Sequence, residues 1–200
     1  MKLFDFDGPL MTTLRKLWAI VGASVLFIVC CLPVVTAGLS FTALYTVAEK
    51  NLKNNRGYVW SEFAGALKNN WRQALPAGAV MAAVLFVFEV DVRILKAFLM
   101  NGHAIGNLYV LVRVLQVLLI IYAVWVFAQI AVFENTLKQI LKNSLLLMIS
   151  HLGSSVVIFL LLLFAAAVIW VIPISAALMP AVVTWLMTAS LEKVFGRYGE

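Results

Sequence analysis

From Leu152 to Leu191 the chain runs for forty residues without one formally charged side chain. As a single α-helix that run would be ~60 Å long, about twice the hydrocarbon core of a bilayer. It has to cross and return, which makes the chain an integral membrane protein and rules out an ordinary water-soluble core. Pro173, near the middle of the run, marks the expected turn, and Pro180 is expected to kink the returning segment.

The rest of the sequence is consistent with this. Hydrophobic residues make up 64% and charged residues 12%, against ~45–50% and ~25% in soluble domains. Two hundred residues hold five or six crossings with short connections, so 1–200 reads as one membrane domain. The net charge of +6 does not point to nucleic acid, because the lysines and arginines sit at segment ends and form no basic face. The bilayer is the partner this pattern calls for.

Cys30 and Cys31 are adjacent inside the first apolar segment, where they read as small packing residues and not as a bridge or a metal pair. Val29 is too bulky for a lipoprotein signal before Cys30. The apolar run 17–35 is also longer than a cleavable signal core, so Val35-Thr36-Ala37 is not expected to be cut.

Five segments follow from the apolar runs: about 17–36, 75–92, 108–132, 153–171 and 174–190. Residues 39–52 decide whether there is a sixth. With that arm on the surface, lysine and arginine divide nine against six across the membrane. With it returning through the bilayer they divide twelve against three, which the positive-inside bias favours. Fourteen residues reach only ~21 Å, so the arm must be a short tilted span or a re-entrant piece shielded by protein. The expectation is an all-α polytopic transmembrane bundle of six segments, five being the alternative, with both termini cytoplasmic.

Two inner-face amphipathic helices complete this scheme. Ala66-Leu67-Lys68-Asn69-Asn70 and Ile140-Leu141-Lys142-Asn143-Ser144 are offset by 74 residues, and each precedes an apolar segment. Trp60, Phe63, Ala64, Leu67 and Trp71 share one helical spacing, and Leu137, Ile140, Leu141 and Leu145 share another. Each helix is expected to lie with an apolar face down and lysines up. A duplication and chance similarity both account for the offset. Residues 89–107, with Glu89, Asp91, Arg93, Lys96 and His103, read as a short external connection in which Gly102 and Gly106 flank a turn. Glu134 is expected to cap the helix after it.

No catalytic constellation is present, so no enzyme activity, cofactor or metal site is expected. Arg113 lies about five residues into a span, where an uncompensated cation is expensive. Snorkelling, or pairing with Glu89 or Asp91, explains it structurally; a place on a solute or proton pathway is the functional alternative. Gln116 shares its helical face and Gln129 lies deeper, both suited to interhelical hydrogen bonds. Pro33, Thr36 and Gly38 form a candidate helix break, either a tight outer turn or exposed backbone able to bind an ion. Ala165–Ala167 and Ser175–Ala177 offer small faces for close packing.

Leu3-Phe4, Asp7-Gly8-Pro9-Leu10, Cys31-Leu32-Pro33-Val34-Val35-Thr36-Ala37-Gly38 and Thr42-Ala43-Leu44-Tyr45 resemble the YesL-like bacterial integral membrane proteins, as do Phe133-Glu134-Asn135 and Leu141-Lys142-Asn143-Ser144. The resemblance runs from Met1 to about Leu152. It implies a Gram-positive plasma-membrane protein often encoded near carbohydrate uptake systems, and it carries no established activity. The functional expectation is an accessory or regulatory partner of such a system, docking on sugar-transporter permease subunits or on itself. The alternative is a small-solute permease acting as an oligomer.

Overall fold

A computed structural model describes residues 9–53, 58–101 and 103–196, with side chains from residue 16 onward except at 52 and 53. Among these residues there are seven α-helices: α1 Pro9–Cys30, α2 Ala37–Val47, α3 Val59–Met100, α4 Tyr109–Val132, α5 Leu137–Ser150, α6 Leu152–Val171 and α7 Met179–Phe195. Short 3-10 turns precede α2, α4 and α7, and α2 runs on into a π-helical stretch, Ala48–Lys53.

The arm in question, residues 39–52, supplies the centre of the bundle. From Gly38 to Ala48 every residue except Phe41 is buried, walled by α1, α3, α4 and α7. Polar side chains survive there because they bond to their own helix. Ser40, Thr42 and Thr46 donate to the carbonyls of Thr36, Gly38 and Thr42, at 2.9, 3.0 and 3.1 Å. Each hydroxyl is thereby satisfied by a carbonyl one turn back along the chain, with Thr42 also reaching Phe127 O of α4 at 3.5 Å.

Among the described residues, three helical stretches are long and apolar enough to cross a membrane: Val59–Met100, Ala104–Val132 and Leu152–Val171. They make the chain a multi-pass membrane protein. Six crossings exceed what these lengths establish. The apolar part of α1 ends at Cys30, α2 with its π-helical extension reaches only ~25 Å, and α7 begins only at Met179.

Helix α3 departs furthest from expectation. Its 42 residues, ~63 Å of helix, fuse the expected amphipathic helix, the expected crossing and most of the expected external connection. Pro76 does not end it and lies on its exposed side. Beyond Glu89 the charges that suggested a loop form a helical stripe instead, with Arg93 3.6 Å from Glu89 one turn away. The turn to α4 is tight: a Cβ on Gly106 would overlap the backbone of Leu99, so Gly106 is needed for close approach and not merely for a bend. Asp7, Gly8, Gly102 and Arg197 lie outside the described residues.

Three further expectations are corrected. Pro180 does not kink a span; it sits in the first turn of α7, where its missing N–H leaves nothing unpaired. Glu134 does not cap α5. Thr136 does, in a capping box whose Gln139 Oε1 accepts from the Thr136 N–H at 3.2 Å and from its hydroxyl at 2.8 Å. Nor do the amphipathic stretches separate lysine from leucine. On α5, Ile140, Ser144 and Leu147 face inward, while Lys138, Lys142, Leu145, Leu146 and Ile149 all face outward. On α3, Phe63 is buried and Trp60, Ala64 and Trp71 are exposed beside Lys68 and Arg72, because the bundle core, not the membrane surface, takes the inward face.

The bundle is closed by two contacts remote in sequence. Buried Ser24 of α1 caps the start of α7, its hydroxyl accepting from Ala181 N–H at 3.1 Å and donating to Leu178 O at 3.2 Å. Trp125 Nε1 of α4 donates to Ser155 of α6 at 3.1 Å, and Ser155 donates to Met148 O at 3.0 Å. Ser24→Ala is expected to cost about 1–2 kcal/mol, read as a lower unfolding temperature in detergent. Ser24→Thr keeps an oxygen and isolates the cap from the space around it.

Candidate functional site

Polar groups collect at three places, and the sequence-predicted residues are divided among them. The first lies between α3 and α4. Arg113 Nη1 donates to Glu89 Oε2 at 2.7 Å and to Gln116 Oε1 at 2.7 Å, while Gln116 Nε2 reaches the same carboxylate at 3.5 Å. The i,i+3 spacing places Arg113 and Gln116 on one face of α4. Antiparallel pairing of α3 with α4 supplies Glu89. His103 is not drawn in; its ring packs edge-on against Phe98 at 5.9 Å. The Arg113 and Glu89 side chains remain 43% and 37% exposed, set in a surface of outward-facing Phe86, Val90, Val110 and Val114.

The second is the helix break. Pro33 ends the first helical ladder. The Thr36 hydroxyl then turns back on the freed carbonyls, reaching Cys30 O and, at 2.7 Å, Pro33 O, while Thr36 N–H bonds Pro33 O at 2.9 Å. The turn is therefore closed by its own groups. Gly38 has a separate role. A Cβ there would overlap the Phe127 ring, and a Cβ on Gly78 would stand 3.1 Å from Val35 O and 3.5 Å from Gly38 Cα. The two glycines let α2 and α3 touch backbone to backbone under an aromatic lid from α4.

The third place surrounds the C-terminal end of α4, roughly 24 Å along the helix from Arg113. A polar cavity of about 470 Å³ lies on one side, lined by Thr46, Lys50, Glu62, Asn69, Asn70, Gln73 and residues 130–134. Lys50 and Glu62 form an ion pair across it at 3.3 Å. Gln73 Nε2 donates to Asn135 O at 3.0 Å and ties α3 to the connection after α4. A second cavity of about 240 Å³ is lined by Gln129, Phe133, Asn135, Asn143, Leu146, Leu147 and Phe195. Phe133 borders both.

Two features here escape a reading of the sequence. The 74-residue offset sets Asn69 against the larger cavity and Asn143 against the smaller, so the repeated motif frames the end of α4 from two sides. Gln129 is only 2% exposed, and its Nε2 meets no hydrogen-bond acceptor among the described residues. Tyr45 Oη and Ser144 Oγ are also buried without a hydrogen-bond partner among the described residues, but neither lines the cavity that Gln129 borders.

Gly38→Ala is expected to destabilise the bundle by about 1–3 kcal/mol through overpacking. Phe127→Leu should recover much of that loss in the double variant, as measured by unfolding in detergent. Additive losses would show that Phe127 is not what Gly38 accommodates.

No curated protein and no solved structure matches the chain. A family described as "Protein of unknown function, DUF624" matches residues 20–92, the stretch that carries the second half of α1, the helix break, α2 and most of α3. In that stretch the chain is similar to a family of uncharacterised function, and the contact between Gly38 and Gly78 falls entirely within it.

Proposed function

We propose that the chain is a non-enzymatic accessory or regulatory subunit of a carbohydrate uptake system in a bacterial plasma membrane, with both termini on the cytoplasmic side. The YesL-like resemblance supplies the cargo and the setting. The observation that carries the docking role is the Glu89–Arg113–Gln116 cluster, part-exposed within the apolar outer face of α3 and α4. Charged groups facing hydrocarbon are expensive. A partner helix with its own hydrogen-bonding side chain would both cover the cluster and read it. Exposed Ala166 and Ala167 on α6 add a small-residue face suited to close helix approach.

Affinity purification from native membranes in mild detergent tests this directly. Permease subunits are expected to come with the wild type in stoichiometric amount. Arg113→Ala should lose them by about tenfold or more, with the protein still inserted and Arg113→Lys partly restoring capture. Recovery of the chain alone from wild-type membranes would overturn the reading.

The polar cavity between α2, α3 and α4 favours a second reading, an oligomeric small-solute permease. Flux across vesicles holding the purified chain alone, abolished by Glu62→Gln, would move the assignment there. A reporter fused to the N-terminus should score cytoplasmic; an external score would return the five-segment threading.

A further inference from the structure

The first half of α3 turns a polar stripe toward the bundle, where a packed helix is ordinarily apolar. Glu62, Gly65, Ala66, Asn69, Asn70 and Gln73 recur at i, i+3 and i+4, so they share one face, and all six line the cavity of about 470 Å³. The middle of the stripe leaves space instead of filling it: a Cβ on Gly65 would meet nothing within 4 Å. Thr46, Ala66 and Ile130 also line the cavity and are buried. The cavity is therefore a recess in the bundle and not a patch of its surface.

The lining is one-sided in hydrogen bonding and in charge. The Thr46 hydroxyl already donates to Thr42 O and the Gln73 amide to Asn135 O, which leaves oxygen acceptors at both. Helix α4 ends against the same space. Its last bond runs from Phe133 N–H to Gln129 O, and the carbonyls of Ile130, Ala131 and Val132 accept no backbone N–H among the described residues. Such an end carries about half a negative elementary charge. Two carboxylates line the cavity, Glu62 and Glu134, and Lys50 is the one cation that does so among the described residues. Lys50 is held by Glu62 at 3.3 Å, whereas Glu134 has no ion-pair partner among the described residues. Acceptors and negative charge are in surplus here, in a chain whose net charge is +6. A bare metal ion is the poorer match, because no group of three or more His, Cys, Asp or Glu side chains is gathered among the described residues, and an ion held at about 2–2.6 Å needs far less room.

We infer that this cavity binds one small organic ammonium compound, whose charged group is held by Glu134 and the end of α4 while the Asn69 and Asn70 amides hold its body. Lys50 places an ammonium of the chain's own on Glu62 and competes with the ligand for negative charge. The site lies roughly 24 Å along α4 from Arg113 and does not depend on a partner docking there. It names what would occupy the cavity whether the chain senses that compound or carries it.

The test is isothermal titration of the full chain in mild neutral detergent with putrescine, at low and at high salt. Wild type is expected to bind one putrescine per chain, more weakly as salt rises. Glu134→Gln should weaken binding by about tenfold, the loss expected for one charge-assisted hydrogen bond. Lys50→Met removes the competing ammonium and should tighten binding several-fold, a gain that damage to the fold would not produce. Gly65→Leu sends a side chain into the open space and is expected to abolish binding while the unfolding temperature is kept. Absence of putrescine binding to wild type, equal binding to Gly65→Leu, or displacement of putrescine by equimolar sorbitol or magnesium overturns the assignment. Binding without flux across vesicles would leave this site standing and end only the permease reading, so the two fail separately.

Discussion

The crossing of α2 with α3 is the constraint on which the remaining architecture rests. Gly38 and Gly78 bring two helix backbones into direct contact, and Phe127 closes over them. A Cβ at Gly78 would crowd Val35 O at 3.1 Å and one at Gly38 would overlap the Phe127 ring, so α4 as well as α3 sets the demand for glycine at the crossing. The crossing sets α2 deep enough to be covered on all sides, where an unmet polar group is costly. The Ser and Thr hydroxyls of α2 are satisfied by carbonyls one turn back along the chain, whereas Tyr45 Oη is buried without a hydrogen-bond partner among the described residues.

Elsewhere the bundle satisfies polar groups across elements, and these contacts fix how the helices sit on one another. Ser24 completes the N-terminus of a helix more than 150 positions away, and Ser155 links Trp125 to the end of α5. Such bonds gain value in surroundings without water. The same economy explains why Arg113 is held by Glu89 and Gln116 at once. The amide nitrogen of Gln129 and the hydroxyls of Tyr45 and Ser144 depart from this pattern, being buried without a hydrogen-bond partner among the described residues.

Much of the candidate chemistry was legible residue by residue. Arg113 with Gln116 followed from helical spacing, and Glu89 was one of two acids within reach. The helix break at Pro33 followed from proline chemistry, although the closure by Thr36 and the steric demand at Gly38 depend on neighbours supplied by α4 and α3. Gln129, expected deeper along the same segment, lies sixteen positions from Arg113, roughly 24 Å along α4. The end of α3 was misread because charges spaced three and four apart serve a helix stripe as well as a loop.

The sequence by itself determined that this chain is helical, lives in a membrane and breaks its first helix at Pro33, since hydropathy over twenty-residue windows and the missing proline N–H are local properties. Only the tertiary structure decided that residues 39–52 form the buried centre, that α3 runs unbroken past Pro76, and that leucines and lysines of α5 share an outward face. Each of these depends on which side chains a neighbouring helix covers. Coverage is a property of the packed bundle, and no spacing along one segment contains it.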